Sequence, residues 1–572
     1  MKVNLDYYKE LEDVKQIGEE YEEILQRVEN CAGEDFSKTL DTKARIKNVI
    51  ALSDVRENIL NWYEFKKDCT ILELNANYGE ITGLLCKNAK KVVSLESSKK
   101  YADVIEKRHK NKENLELIVG NYENIELQEK FDYIVIIGMV ENLKQAIEYS
   151  KKYLKEDGTI LLAVNNRFGV KAWITMNENA NVINNQKQAI SREQLENILQ
   201  GMNYKYYYPL PDYKLPNIIY TDNSMPTTAN IYRDLTYKDE NVNFKEIDTY
   251  YQIISNNKED FKKFANSFLL EISNKEIKEN DIKFIAFSNI RKDEYRIKTI
   301  VKNKQVEKTS VNEKSTKHIE KVKNNIKTLE KLEIKTLDTY EDGKIISKYV
   351  EAETLEDKLI KTCKEQGIEE FIKQIEEYRE FLKEKLEVTE EVEKNIFTKY
   401  KVECKEETLN KLTFVKNGLW DLIFQNCFII DNEWYFYDQE WQEENVPVEY
   451  ILYRAILYFH ESKKYISDEE VFEKLNISEF VPIFNELDNK IQEKIRKQLV
   501  WNLHSKEEVE KDKYIKVKKE LKQKELELED LKIEIENLRK DNAQTHNELT
   551  IVKNSLSWKI TGPLRKIRSK LK

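Results

Sequence analysis

The sequence contains little proline or glycine and no long apolar run. Seven prolines and thirteen glycines are spread over 572 residues, and no proline lies between Pro226 and Pro447. Without a Gly/Ser-rich or Pro-rich stretch, no linker marks a domain boundary. The lack of about 18 consecutive apolar residues excludes a membrane-spanning helix, and the N-terminal region lacks the apolar core of a signal peptide. We therefore expect a cytoplasmic protein.

Metal and disulfide chemistry have little support in the composition. None of the six cysteines forms a C-x-x-C pair, and the five histidines lack the spacing of a zinc site. A net charge of −10 argues against nucleic acid as a partner. Charged residues make up 35% of the chain and aromatic residues 10%, which indicates folded domains with highly charged surfaces. A chain of this length should hold two or three such domains.

The hydrophobic pattern changes along the chain. Residues 4–62 have apolar positions at helical spacing, and Ser53 is placed to cap a helix. From Cys69 to Thr221, short apolar runs such as TILEL, KVVSLE, LELIVG and FDYIVIIG alternate with helical stretches, which predicts a mostly parallel sheet covered on both faces. Residues 281–350 predict a small antiparallel set of strands with one helix. Residues 355–500 are largely helical apart from the hairpin CFIIDNEWYFYD.

A turn follows the first predicted strand, in the stretch LELNANYGEITG from Leu72 to Gly83. In a parallel sheet, ligands bind beyond the carboxyl ends of the strands, where a tight turn lets backbone N–H groups approach them. Glycine adopts the positive φ of such turns freely, and asparagine is the best substitute. We therefore expect Asn75, Asn77 and Gly79 to form a left-handed turn. A dinucleotide site would have the spacing G-x-G-x-x-G instead.

The acidic residue before this turn and the alternate spacing within it resemble the first motif of class I S-adenosylmethionine (SAM) methyltransferases. The resemblance implies a Rossmann-like fold with SAM as cofactor. Glu73 would lie near the methionine end of SAM, Glu96 would accept both ribose hydroxyls, and Asn121 would face the adenine amine. The turn itself completes the predicted cofactor site. A structural join between strand and helix, without a cofactor, is the alternative.

The stretch YYPLPDYKLPNIIYTDNSMP, Tyr207 to Pro226, resembles a bacterial subfamily of these enzymes that works in surface-polysaccharide biosynthesis. The similarity also takes in FDYIVIIGMVEN and AVNNRFGVKAW. The segment from Asn177 to Lys187, where the subfamily has an acceptor-facing loop, is not recognisable, so we expect an unusual acceptor. The candidates for the acceptor side are Asn166, Arg167, Asp212 and Tyr213.

A second constellation lies in NGLWDLIFQNCFIIDNEWYFYDQEW, Asn417 to Trp441. Asp421 and Asn426 are five residues apart, and Asp438 follows twelve residues further on. Phosphoryl transfer needs a carboxylate that orients the acceptor hydroxyl, an amide that ligates magnesium, and a second carboxylate for the metal that bridges the phosphates. This order resembles the protein kinases. It would make Asn426 and Asp438 the Mg²⁺ ligands of an ATP site.

The kinase resemblance implies two further residues. Lys308 would be the strand lysine that holds the phosphates, and Glu320 on the following helix would be its ion-pair partner. However, Trp420 replaces the usual histidine or arginine of the catalytic motif, Gln439 and Glu440 replace the glycine end of the metal motif, and no glycine-rich loop precedes the lysine. The alternatives are a catalytically dead kinase-like domain that docks the acceptor, and a solvated hairpin.

Residues 514–552 carry a heptad repeat, which predicts a coiled coil of roughly 60 Å. The polar seam residues Asn542 and Thr545 would fix its register. We expect a homo-oligomer, and a solvated single helix is the alternative. One seam comprises Tyr514, Leu521, Leu528, Ile535, Asn542 and Leu549, and the other comprises Val517, Lys524, Leu531, Leu538, Thr545 and Val552.

The C-terminal stretch NSLSWKITGPLRKIRSKLK is basic and amphipathic. Together with Lys553 it has seven Lys or Arg and no Asp or Glu, and Trp558, Ile560 and Leu564 contribute to its apolar side. We expect it to bind the anionic inner face of the plasma membrane, each basic residue contributing about 1 kcal/mol. It also resembles the tails of glycan-assembly enzymes. A frayed basic end is the alternative.

The predicted domains are a helical segment (1–44), a class I SAM-dependent methyltransferase domain (45–235), a protein-kinase-like domain (236–504), a coiled coil (505–553) and the basic tail (554–572). The fold class is α/β with a Rossmann-like domain, followed by an α+β domain. In this order the chain resembles the bifunctional kinase–methyltransferases that terminate O-antigen chains. The resemblance implies methylation of a surface glycan, or of its phosphorylated or amino-acid-bearing precursor, with glycosyltransferases as partners. The alternative is an oligomeric scaffold at the membrane surface for glycan assembly, including flagellin glycosylation.

Overall fold

The structure is a computed structural model that describes residues 1–10, 20–31, 33, 35–40, 46–138, 140, 142–174, 189–227, 231, 247–459 and 465–570. The chain forms two compact units, Met1–His504 and Ser505–Lys572.

The strands of the described residues all lie in the first unit. In chain order they are β1 Lys2–Asn4, β2 Thr70–Leu74, β3 Lys91–Glu96, β4 Leu115–Val119, β5 Phe131–Ile137, β6 Leu154–Asn165, β7 Asn203–Leu210, β8 Ile218–Thr221, β9 Ser267–Ser273, β10 Ile282–Phe287, β11 Ile297–Lys302, β12 Gln305–Ser310, β13 Asp338–Glu341, β14 Lys344–Lys348, β15 Phe414–Val415, β16 Gly418–Leu419, β17 Cys427–Ile430, β18 Glu433–Phe436, β19 Gln442–Glu443 and β20 Val446–Pro447.

The α-helices of the described residues connect these strands and continue beyond them. In chain order they are α1 Tyr21–Glu29, α2 Ile46–Leu52, α3 Thr82–Asn88, α4 Lys99–His109, α5 Leu143–Tyr153, α6 Val170–Ile174, α7 Arg192–Ile198, α8 Ile247–Ser255, α9 Lys258–Phe264, α10 Thr316–Lys331, α11 Leu355–Glu365, α12 Ile368–Lys385, α13 Ile396–Tyr400, α14 Glu406–Leu409, α15 Val448–Leu457, α16 Asp468–Lys474, α17 Val481–Ile495, α18 Gln498–Asn554, α19 Leu556–Ile560 and α20 Gly562–Lys570.

The N-terminal region is helical in part. Besides α1 and α2 it holds the 3-10 helix Asp54–Ile59, where the Ser53 side chain accepts a hydrogen bond from the Val55 N–H at 3.2 Å. The predicted cap at Ser53 is therefore confirmed. Strand β1 precedes these helices, and it pairs in parallel with β4.

Six strands at one end of the main sheet are parallel, in the order β1-β4-β3-β2-β5-β6. Both faces are buried, as Ile71 and Leu72 on β2 show by packing into separate cores on opposite faces. The strand order reverses between β2 and β5, so a crevice opens beyond their carboxyl ends. The predicted mostly parallel sheet is confirmed for this part of the chain.

The sheet continues with the antiparallel strands β9, β7 and β8. Strand β9, with the sequence SFLLEIS, lies between β6 and β7. The sheet therefore runs past the predicted domain boundary at residue 235.

A five-stranded antiparallel part, in the order β10-β11-β12-β14-β13, extends the same sheet through the pairing of β8 with β10. Helix α10 lies in sequence between β12 and β13. The segment from α11 to α17 is largely helical around one core, and β17 and β18 form a hairpin. The predicted strands and helix of residues 281–350 and the predicted hairpin are therefore confirmed. Residues 355–500 are largely helical as predicted, but the short antiparallel pairs β15–β20 and β16–β19 were not predicted.

Helix α18 begins at Gln498, near the end of the first unit, and runs without interruption through the predicted heptad region. In the short helices that follow, Ser555 accepts a hydrogen bond from the Trp558 N–H, and the Arg565 guanidinium lies 3.5 Å from the centre of the Trp558 ring. Within the described ranges no helix is both long and apolar enough to cross a membrane. The coiled coil, the oligomer and the membrane contact of the tail stay predictions.

Candidate active site

The turn after β2 has the predicted left-handed backbone. The φ angles are 60° at Asn75, 50° at Asn77 and 70° at Gly79. The Ala76 N–H donates to the Leu95 carbonyl oxygen at 3.2 Å, which ties the turn to β3. The Asn77 side-chain amide donates to the Asn75 carbonyl oxygen at 3.1 Å, so this side chain folds back onto its own turn. The expectation that asparagine serves in place of glycine here is confirmed.

The carboxylate of Glu96, at the end of β3, faces this turn. It accepts hydrogen bonds from the Asn77 N–H at 2.8 Å and from the Ser98 N–H at 2.9 Å, and only 1% of the residue is exposed. The turn and the predicted ribose-binding carboxylate are therefore held together in one place.

Glu73 is buried in β2 beneath the turn, with 3% of the residue exposed. Its carboxylate accepts hydrogen bonds from the hydroxyls of Ser94 at 2.6 Å and Thr82 at 2.7 Å. Burial raises the pKa of Glu73 to about 7, because desolvation disfavours the charged form more than the two hydroxyls favour it. These contacts link β2, β3 and α3, and the predicted contact with SAM stays a prediction.

Asn121 follows β4 at the same edge of the sheet. Its side chain accepts a hydrogen bond from the Glu123 N–H at 3.1 Å and caps the 3-10 helix Tyr122–Asn124. The sheet thus brings the four predicted elements of the cofactor site, namely Glu73, the turn, Glu96 and Asn121, to the carboxyl ends of neighbouring strands. The role of Asn121 toward adenine stays a prediction.

Two residues at the end of α4 support the turn and were missed by the sequence reasoning. The His109 Nε2 atom lies 2.9 Å from the Gly79 carbonyl oxygen. A Cβ atom on Gly79 would lie only 2.8 Å from the same nitrogen, so the turn leaves no space for a side chain there. Arg108 donates hydrogen bonds to the carbonyl oxygens of Tyr78 at 3.2 Å and Ala51 at 2.7 Å.

On the predicted acceptor side, Tyr213 is buried and its hydroxyl faces the carboxyl end of β5. A Cβ atom on Gly138 would lie 3.5 Å from this hydroxyl oxygen. Burial raises the pKa of Tyr213 to about 12, so the hydroxyl keeps its proton near neutral pH. It is therefore a hydrogen-bond donor.

Asn166 and Asp212 are held by neighbouring protein groups. The Asn166 amide donates to the carbonyl oxygens of Lys263 and Ala265, each at 2.7 Å, which braces the end of β6 against the segment before β9. Asp212 forms an ion pair of 2.9 Å with Lys171, and both side chains are largely buried. The acceptor roles predicted for Asn166 and Asp212 stay predictions.

A cavity of about 470 Å³ opens at the carboxyl ends of β5 and β6, and Arg167 lines it. The segment from Asn177 to Lys187, expected to face the acceptor, lies outside the described residues. The remaining lining residues are apolar, amide-bearing or basic: Val140, Asn142, Leu143, Lys144, Val164, Ala189, Ile190, Gln194, Asn197 and Ile198.

Residues 72–162 match the family model described as a methyltransferase domain, and this range runs from within β2, through the turn, to within β6. The chain contains a methyltransferase domain. The predicted enzyme class, a SAM-dependent methyltransferase, is thereby confirmed. The site of this methyltransferase domain fits SAM, because the turn at positive φ and the buried carboxylate of Glu96, an acceptor for ribose hydroxyls, lie together at the carboxyl ends of β2 and β3.

Solved structures similar to the chain are distant from it. The CcbJ methyltransferase from Streptomyces caelestis is 18% identical, with a TM-score of 0.19 over 21% of this chain and 51% of its own, so this chain spans about half the length of that relative. The plantazolicin methyltransferase BpumL, solved in complex with SAH, is 14% identical, with a TM-score of 0.27 over 45% of this chain and 95% of its own. The YcgJ protein from Bacillus subtilis is 14% identical, with a TM-score of 0.25 over 38% of this chain and 98% of its own. No curated protein matches the sequence.

Outside the methyltransferase domain, the structure brings Lys308 and Asp438 together. The Lys308 ammonium on β12 contacts the Asp438 carboxylate, and Asp438 has a φ of 61°. The Asp438 N–H donates to the Asp338 carboxylate at 2.9 Å. Burial alone would lower the pKa of Lys308, but the carboxylates of Asp438, Glu440 and Asp338 outweigh it and raise this pKa.

Asp421 and Asn426 lie beside this pair. The Asp421 carboxylate accepts a hydrogen bond from the Glu440 N–H at 3.2 Å, and the Asn426 amide donates to the Asp421 carbonyl oxygen at 3.1 Å. Burial raises the pKa of Asp421 to about 7, against the opposing effect of Arg454. Four of the five residues predicted for phosphoryl transfer therefore converge. Among the described residues no group of three or more His, Cys, Asp or Glu side chains is arranged to hold a metal ion.

The predicted ion pair between Lys308 and Glu320 is wrong. Glu320 lies on the exposed face of α10, where its carboxylate contacts Lys323 at 3.2 Å and the Tyr340 hydroxyl. The buried face of α10 carries His318 instead, and its Nε2 atom lies 3.0 Å from the Glu440 carboxylate. The sequence reasoning missed this contact.

Proposed function

We propose that the chain transfers a methyl group from SAM to a bacterial surface glycan, or to a phosphorylated or amino-acid-bearing precursor of one. The observation that carries the proposal is the cavity at the carboxyl ends of β5 and β6, at the same edge of the sheet as the cofactor turn. Amide and basic side chains line it together with apolar ones, which suits a ligand with several hydroxyl groups and an anionic group. The segment from Tyr207 to Pro226 resembles enzymes of surface-polysaccharide biosynthesis, which supports the same acceptor class.

The proposed acceptor atom is an anionic oxygen of a phosphate or carboxylate. SAM supplies an electrophilic methyl group, and the residues of the chain bind and orient the acceptor. An anionic oxygen attacks without losing a proton, whereas an amine or a hydroxyl needs a base. Arg167 binds the anion, and the neutral Tyr213 hydroxyl donates a hydrogen bond toward the reacting group.

The test is methyl transfer from labelled SAM to a panel of lipid-linked glycans that carry a terminal phosphate, a terminal carboxylate or neither. The anionic glycans should be methylated and the neutral one should not. Arg167→Ala should raise KM about tenfold or more through the loss of a charge-assisted hydrogen bond, while Arg539→Ala on the exposed surface of α18 leaves it unchanged. Equal labelling of the neutral glycan, or no labelling of any glycan, would contradict the proposal.

Phosphotransfer in the second half of the first unit is a second candidate function. It is favoured by the convergence of Lys308, Asp421, Asn426 and Asp438 from separate elements. If ATP and Mg²⁺ are used there, labelled ATP should transfer phosphate to the glycan and Asp438→Ala should abolish the transfer. If no nucleotide binds at all, the alternative of a kinase-like acceptor-docking domain without ATP chemistry is supported.

The second unit is proposed to make the protein a homo-oligomer at the membrane surface, beside glycosyltransferases. The apolar seam residues described on α18 are 45% to 60% exposed, which is unfavourable for an isolated helix in water. In the rival proposal of an oligomeric scaffold neither site works. Titration of the full chain with SAM separates the two, because a scaffold would bind none.

A further inference from the structure

Arg56 is a buried cation between the two sides of the methyltransferase site. It lies on the 3-10 helix Asp54–Ile59, with 2% of the residue exposed. Its Nε atom lies 3.2 Å from the Glu80 carboxylate, and its Nη1 atom donates to the Tyr213 carbonyl oxygen at 2.7 Å. Glu80 directly follows Gly79 of the cofactor turn. One guanidinium therefore contacts both the cofactor turn and the segment on the predicted acceptor side.

The contacts around Tyr213 fix its hydroxyl against β5. The Arg56 guanidinium lies 5.1 Å from the centre of the Tyr213 ring, and the Tyr213 N–H donates to the Ser267 hydroxyl at 2.8 Å. Because a guanidinium is planar and directs its N–H groups along fixed lines, it holds its partners at a set distance from each other. A displacement of Arg56 would thus move the cofactor turn and Tyr213 relative to each other.

We propose that Arg56 is a positioning residue for methyl transfer, which fixes the cofactor turn, through Glu80, relative to Tyr213. The proposal rests on the proposed acceptor-side role of Tyr213. It predicts that SAM binding and the order of the segment around Tyr213 depend on each other through Arg56. If the role of Arg56 were purely structural, its substitution would lower the stability of the chain but would not uncouple SAM binding from the order of that segment.

The first measurement is calorimetric titration of the full chain with SAM. We expect Arg56→Gln to weaken binding about tenfold, and Arg56→Lys to weaken it less, because the charge is kept while the second fixed donor is lost. Glu80→Gln should match Arg56→Gln, and the double variant should be no weaker than either single one. The matched control is Arg379→Gln, since Arg379 also joins a carboxylate, Glu376, to a carbonyl oxygen, that of Leu475, but lies on α12. It should leave SAM affinity unchanged.

The second measurement is amide hydrogen exchange of the peptide 210–216. SAM should slow exchange there in the wild type and in Tyr213→Phe, which keeps the ring and the carbonyl, but not in Arg56→Gln. Protection by SAM that persists in Arg56→Gln, or an affinity within twofold of the wild type, would overturn the proposal. Because Glu80→Gln leaves the arginine in place, it decides the question if Arg56→Gln does not fold.

These results also separate this proposal from the proposed function. A wild-type chain that binds no SAM overturns both. A chain that shows the Arg56 pattern but methylates no glycan keeps Arg56 as a positioning residue and overturns the proposed acceptor alone.

Discussion

At the scale of single residues, Gly79 occupies a position that another residue cannot fill without strain and a clash. Its φ is 70°, and an added Cβ atom would lie 2.8 Å from His109 Nε2. Gly79→Ala should lower the free energy of unfolding by about 1 to 2 kcal/mol through backbone strain, and by about 1 to 3 kcal/mol more through the clash. Thermal unfolding measures this loss.

The control is Gly201→Ala, because Gly201 has a φ of 82° with no atom within 4 Å of the added Cβ position. It isolates the strain from the clash. Equal losses of stability in the two variants would show that His109 does not pack closely against the turn.

Glu73 should make the stability of the methyltransferase domain depend on pH. Its pKa is about 7 in the folded protein, against an ordinary value of 4.5. Between these values the folded state keeps a proton that the unfolded state releases, so stability is highest below pH 4.5 and falls as pH rises toward 7. Glu73→Gln lacks this loss, and its stability relative to the wild type should increase across that range by up to about 3 kcal/mol. Denaturant unfolding at several pH values measures this difference.

The exposed Glu106→Gln on α4 is the control and should follow the wild type at every pH. Parallel pH curves for Glu73→Gln and the wild type would mean that Glu73 is not buried in its protonated form.

The sequence alone predicted the turn, but it did not predict the residues that pack against the turn and hold it in place. The ability to adopt positive φ depends on the residue type, so the turn at Asn75, Asn77 and Gly79 could be predicted from these residues alone. His109 and Arg56 act through contacts with residues far away in sequence, and neither belongs to a motif. No pattern in a single sequence indicates such contacts.

At the scale of elements, the orientation of α10 decides which of its residues reach the charged cluster around Lys308. Glu320→Gln should leave thermal stability almost unchanged, because surface ion pairs contribute little. His318→Ala should cost about 1 to 3 kcal/mol, since it removes a buried partner of Glu440. Both substitutions lie on the same helix, two residues apart, so each is the control of the other in thermal unfolding. A larger loss of stability in Glu320→Gln than in His318→Ala would support the kinase-type ion pair between Glu320 and Lys308 instead.

The incorrect prediction for Glu320 could have been avoided from the sequence, because the apolar repeat of α10 shows which face of the helix is buried. Ile319, Val322, Ile326 and Leu329 repeat at helical spacing and are the buried face of α10. Glu320 lies off that face. The kinase resemblance assigned its role by order along the chain, whereas the apolar repeat would have placed it in solvent.

At the scale of the whole molecule, the exposed seam of α18 predicts association. The full chain should sediment as a homo-oligomer, and the double variant Leu528→Asp, Ile535→Asp should sediment as a monomer, because charges cannot be buried at seam positions. The control is Glu529→Lys, which lies outside both seams and should keep the oligomer. A wild-type chain that is monomeric at micromolar concentration would contradict the predicted coiled coil.

The continuity of the large sheet could not be predicted at this scale. Strands β8 and β10 pair in the register Tyr220 with Phe284, which joins two parts of the chain that were predicted as separate domains. Pairing of edge strands distant in sequence leaves no local pattern, because either strand could equally pair elsewhere. Strand β9 was missed as well, although its apolar run SFLLEIS was a local signal for a buried strand.

The most direct test of the account is a crystal structure of the chain soaked with S-adenosylhomocysteine. The nucleoside should lie in the crevice beyond β2 and β3, with its ribose hydroxyls on Glu96 and with Asn75 and Asn77 still at positive φ. A nucleoside bound elsewhere, or a crevice filled by the side chains of Asn75 and Asn77, would contradict it.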